Sequence, residues 1–176
     1  MSAVARAPAS GEEAASPAAE RSALSTARLA AVQAIYQLEM SGGKPEQVVA
    51  ELIRHRGGAA FDEGEEGTAA DRALLAELVS GVVREHAGLD ALVGAQLAEA
   101  WPLGRLEKVM AATLRAGAYE LKFRPEVPAR VVISEYVDVA HAFLGDKEVG
   151  MVNGVLDHLA RELRGAEMGE GTGGEG

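Results

Sequence analysis

The chain has no cysteine in its 176 residues. That excludes a disulfide framework, and it excludes thiolate ligands and thiolate nucleophiles. No apolar run approaches the roughly 20 residues that a membrane-spanning helix needs. The opening stretch, MSAVARAPASGEEAASPAAE, lacks the apolar core of a secretion signal. Together these absences predict a soluble, cytoplasmic protein. Histidine is scarce as well. None of His55, His86, His141 and His158 pairs with another at metal-ligand spacing, and no H-E-x-x-H occurs. Asp157 and His158 are adjacent, so on a helix they point about 100° apart and cannot serve one ligand site. No metal, no cofactor and no catalytic residue is expected.

Two glycine motifs are decoys. Ser41-Gly42-Gly43-Lys44 resembles half a phosphate-binding loop, but Pro45 stands where Ser or Thr must hold magnesium. Gly169, Gly171 and Gly174 fit G-x-G-x-x-G by letter, with neither a strand before them nor a helix after. Glu65-Glu66 lies in a solvated loop and reads as surface charge.

The net charge is −10, which is hostile to nucleic acid at first sight. Its distribution matters more. Residues 1–20 carry −2, residues 57–71 carry −5 and the tail 165–176 carries −3. The remaining body is neutral, with 16 basic and 16 acidic residues. A neutral body can still carry a basic face.

Apolar spacing predicts about seven helices and no strand. The first runs over 24–40, capped by Ser25 or Thr26, with Leu29, Val32, Ile35, Tyr36 and Leu38 inward. Ser41-Gly42-Gly43-Lys44-Pro45 ends it by removing helix propensity and then a backbone donor. Further helices are expected over 45–55, 68–85, 89–100 and 105–123, with an acidic, glycine-rich loop over 57–67. Gly117 inside the fifth costs about 1 kcal/mol relative to Ala, which close helix packing would explain. One all-α domain over 22–164 results, with disordered ends over 1–21 and 165–176.

The segment 127–164 reads VPARVVISEYVDVAHAFLGDKEVGMVNGVLDHLARELR. It holds two apolar stripes, through Val132, Ile133, Tyr136, Val137, Ala140, Phe143 and Leu144, and through Met151, Val152, Val155, Leu156, Leu159 and Leu163. Both follow the spacing of one buried helix face. Val131-Val132-Ile133 also suits a strand, but the longer helical period outvotes it. Gly145 suits the end of the sixth helix and Asp146 the cap of the seventh. Gly154 would let another helix come close, and Asn153 would bond backbone at the helix start. Arg21 and Arg28 admit two readings: a solvated face, or phosphate contact near a helix N-terminus.

Four collinear blocks carry a resemblance. They are Ala27-Arg28 … Ala31-Val32-Gln33-Ala34-Ile35-Tyr36; Leu78-Val79-Ser80-Gly81-Val82; Trp101-Pro102-Leu103 … Arg105-Leu106 with Leu114-Arg115 … Tyr119-Glu120-Leu121; and the closing Val127-Pro128 … Met151-Val152-Asn153-Gly154-Val155-Leu156-Asp157. The chain resembles the NusB family of transcription antitermination factors over 27–164. The resemblance implies an all-helical fold of two small bundles packed together and a non-catalytic role. It implies binding to the boxA element of nascent ribosomal RNA leaders together with ribosomal protein NusE, so that RNA polymerase reads through terminators.

By the same resemblance, Arg28, with Arg21 nearby, and Lys147 and Met151 would face RNA, and Tyr36 and Met110 would face NusE. Three departures stand out. Leu24-Ser25-Thr26 replaces an arginine cluster, Met151 replaces an aromatic residue and Met110 replaces an acid. They imply weak RNA binding by the protein alone and dependence on NusE. The alternative is a protein–protein scaffold or homodimer with little RNA affinity of its own. A third reading, fusion-type ribosomal RNA cytosine methyltransferases, lacks a Gly-rich cofactor loop and a cysteine nucleophile here.

Overall fold

A run of good helix formers starts at Pro17, and the first helix starts there too. In the computed structural model, which describes residues 16–59 and 69–169, α1 spans Pro17–Ser41. It is followed by α2 (Pro45–Ala59), α3 (Ala69–Arg84), α4 (His86–Gly94), a 3-10 turn at Leu103–Arg105, α5 (Lys108–Phe123), α6 (Ala129–Phe143) and α7 (Asp146–Leu163). No strand occurs among the described residues. Val131-Val132-Ile133 is helical because its stripe continues through Tyr136, Val139 and Ala140 into the core.

Helices α1, α2 and α3 pack on one another; α5, α6 and α7 form a second group, with α4 laid against α5. α5 also packs on α1 and α3 and so joins the two groups. The inner face of α1 is mostly small: Ala27, Ala30, Ala31 and Ala34 are buried beside Val32 and Ile35. Small side chains let α3 come close. Glycine does the same for α5. A Cβ at Gly117 would lie 2.8 Å from Leu156 Cδ2, and one at Gly81 would lie 2.4 Å from the Tyr119 ring. Gly117 therefore serves close packing, as its place inside a helix suggests. Gly154 does not: a Cβ there meets nothing within 4 Å, because α7 turns that position to solvent.

Several boundaries differ from the sequence expectation. α1 begins seven residues before Leu24, so part of the stretch expected to be disordered is helix. Ser25 and Thr26 sit inside it and cap nothing. Thr26 Oγ1 donates to Ser22 O at 2.9 Å, and Ser25 Oγ donates across to Glu135 Oε1 at 3.0 Å. α4 covers His86–Gly94, not 89–100, and α5 starts at Lys108 after the 3-10 turn. The tail does not fray at once after α7. Met168 is buried, and Glu167 Oε2 accepts a hydrogen bond from Ala129 N, at the start of α6, at 2.8 Å. The stretches 1–15 and 170–176 and most of the acidic loop lie outside the described residues.

Candidate nucleic-acid interface

Position 28 falls on the inward stripe of α1, four residues before Val32 and seven before Ile35. The Arg28 side chain is accordingly buried, with the residue 4% exposed. A buried cation needs a partner, and Arg28 has one. Its Nε donates to Glu120 Oε2 at 2.7 Å and its Nη2 donates to Glu120 Oε1 at 2.9 Å. Tyr136 Oη donates to the same Glu120 Oε2 at 2.6 Å. Glu135 approaches Arg28 at 3.8 Å, and Arg124 approaches Glu120 at 3.6 Å. Burial works against the Arg28 charge, but the hydrogen bonds and charge of Glu120 outweigh it and hold its pKa above the usual value. Burial, and then the Glu120 charge, push the Tyr136 hydroxyl well above its usual range.

This cluster corrects the expectation for Arg28. Its guanidinium ties α1 to α5 and is not presented to phosphate. Glu120 and Tyr136 were missed as its partners. The available signal was an arginine on an apolar stripe, which demands a buried acid on some other stripe. Arg21 stands two turns earlier on α1 and is exposed.

A second expectation needs correction. Met110 is 2% exposed and belongs to the core, so its side chain offers no surface to a partner. It sits in the first turn of α5, where Val109, Ala111 and Leu114 set an inward register. Tyr36, expected on both the apolar face and the partner face, is 39% exposed. Next to it in the chain, Ile35, Leu38 and Glu39 border a groove of about 290 Å³ that Val82, Val83, His86 and Arg115 complete. Charge underlies this groove. Arg115 Nη1 donates to Glu39 Oε2 at 2.7 Å and Nε to Asp90 Oδ1 at 2.6 Å. Burial works against the Arg115 charge, yet Asp90 and Glu39 raise its pKa.

The remaining two candidates sit together. Lys147 and Met151 are one turn apart at the start of α7. Lys147 is exposed, and its Nζ lies 5.6 Å from the ring centroid of Trp101. Met151 is half-buried against the core. The fold sets Trp101 beside Lys147, a pairing that the sequence does not show. None of the helices is long and apolar enough to cross a membrane among the described residues.

Comparison with known proteins agrees with this fold. The chain is 52% identical over 142 residues to the transcription antitermination protein NusB of Nitrobacter hamburgensis, covering 81% of this chain and 88% of that one. It is 50% identical over 145 residues to the protein of the same name from Rhodopseudomonas palustris, covering 82% and 85%. Among solved structures, T. maritima NusB superposes with a TM-score of 0.69 at 26% identity, over 81% of this chain and 94% of that one. The NusB fold in a complex of NusB and NusE with dsRNA matches at a TM-score of 0.67 and 23% identity, over 80% and 98%. Residues 25–161 match the NusB family profile, and with half of the residues shared with such relatives over four-fifths of its length, the chain belongs to the NusB family.

Proposed function

We propose that this protein is a non-catalytic, cytoplasmic antitermination factor. It binds the boxA element of nascent ribosomal RNA leaders together with ribosomal protein NusE, and the pair helps RNA polymerase read through terminators. The observation that carries this reading is the extent of the likeness to antitermination proteins, about half the residues over nearly the whole helical domain. A solved NusB–NusE complex with dsRNA supports the choice of partners. In this reading Arg21, Lys147 and Met151 contact RNA and Tyr36 contacts NusE. Arg28 and Met110 support those faces from within.

One observation favours a second reading. With Arg28 committed to Glu120, the RNA face keeps fewer cations, which suits a scaffold or homodimer with little RNA affinity. Fluorescence anisotropy separates the two. A labelled boxA leader RNA and a scrambled control are titrated with the protein, with and without NusE, at two salt concentrations. Tighter, sequence-selective binding with NusE is expected. Equal binding of both RNAs in every condition would leave the scaffold reading.

A further inference from the structure

The only tryptophan of the chain, Trp101, has no part in the core. It is 48% exposed, at the turn between α4 and the 3-10 segment. Its backbone is fixed: Trp101 N donates to Ala98 O at 2.9 Å, and Pro102 follows. Its ring is held too, by the Lys147 ammonium 5.6 Å from the centroid. A cation over an indole is attracted by the ring quadrupole, so the side chain is oriented before any ligand arrives. Arg105, exposed, lies on the same turn, where its N donates to Pro102 O at 2.9 Å. The result is a half-exposed aromatic ring with one cation from α7 over it and a second, Arg105, four residues on in the same turn.

We propose that Trp101 is a stacking platform for one unpaired base of a single-stranded RNA, with Lys147 and Arg105 placed for the phosphates on either side of that base. The proposal rests on the RNA-binding reading above and adds to it a residue and a mode of contact. The chemistry selects RNA over an acidic peptide. An acidic peptide would use the two cations and leave the ring idle, whereas a nucleotide offers a π-face and an anion together. Asp146 and Glu148 flank Lys147 in the chain and weaken the local attraction for phosphate, so stacking supplies the larger share. Stacking is insensitive to salt, whereas phosphate contact is not. The two contributions are therefore separable.

The test uses the full chain and its single tryptophan. A single-stranded boxA leader RNA is titrated while anisotropy of the labelled RNA and emission of Trp101 are followed together, first with the protein by itself at low salt and then with NusE, whose own emission is subtracted. Trp101 emission should be quenched in step with the anisotropy. Trp101→Ala should weaken binding roughly ten-fold, by the same factor at both salt concentrations, and Trp101→Phe should recover most of the loss. Lys147→Ala should weaken binding more at low salt than at high. Binding that leaves Trp101 emission unchanged, with Trp101→Ala at wild-type affinity, overturns the platform and leaves the RNA-binding reading intact. Emission that responds to NusE but not to RNA places the ring under protein and overturns the platform. No binding to RNA in any condition overturns both.

Discussion

Arg28 and Glu120 are 92 positions apart in the chain and joined by two hydrogen bonds, of 2.7 and 2.9 Å, in the interior between α1 and α5. Removing the acid takes both hydrogen bonds from a buried cation and leaves it only Glu135 at 3.8 Å, which costs about 3–5 kcal/mol. Glu120→Ala should therefore lower the urea midpoint sharply, with the slope of the transition unchanged. Arg28→Ala should destabilise in the same way, and any loss of RNA affinity in that variant would track the unfolded fraction.

Tyr136 donates to Glu120 and titrates above its ordinary value of 10.0. A group whose pKa is higher in the fold binds more protons in the folded state between the two values. Stability from this group is complete below about pH 10 and falls as pH rises above it. Urea midpoints followed from pH 8 to pH 11 should decline more steeply in the wild type than in Tyr136→Phe. Parallel profiles would remove Tyr136 as the source.

Three glycines should respond differently to the same change. Gly81→Ala drives a methyl into the buried Tyr119 ring and should cost about 1–3 kcal/mol, because overpacking outweighs the gain in helix propensity. Gly117→Ala meets the buried Leu156 side chain at 2.8 Å, a milder approach than the 2.4 Å at Gly81, and should cost less. Gly154→Ala meets open space in α7 and should raise stability by up to about 1 kcal/mol. Thermal melts of the three variants check the order.

Arg21 and Lys147 are exposed cations of the proposed RNA face. Replacing either with Ala should leave the melting temperature unchanged and reduce the slope of log affinity against log salt by about 1 if it meets one phosphate. An unchanged slope would take that residue off the RNA face.

The closing hairpin was legible because local signals agreed. α6 gives way to α7 at Leu144 and Gly145, with Asp146 the first residue of α7 rather than its cap, and both stripes run inward except at their ends, where Phe143 and Leu163 are exposed. The family resemblance conveyed the fold class for the same reason, through apolar strings that pack. Arg28 was not legible. Its charge matched a surface reading, and the acid that claims it lies on another helix, paired only once α1 and α5 meet. Met110 misled in the opposite way, since a likeness gave it a partner role while its own stripe placed it inside. Trp101 and Lys147 are far apart in sequence, and nothing in either neighbourhood points to the other. The start of α1 was set too late because Ser25 and Thr26 imitate a cap in the middle of a run of helix formers.

Arg164, just past α7, donates Nε to Leu121 O at 2.8 Å, Nη2 to Glu120 O and Arg124 O at 2.9 and 2.8 Å, and Nη1 to Val127 O. One guanidinium thereby satisfies the carbonyls at the end of α5 and at the bend into α6. Those carbonyls are made early and their donor is made late. Glu120 O and Arg124 O also accept from the backbone N of Arg124 and of Val127, so during synthesis it is only the link to the end of α7 that waits for α6 and α7 to follow. A message broken just before Arg164 would yield every helix of the described fold but not the residue that fastens the end of α7 to the bend between α5 and α6.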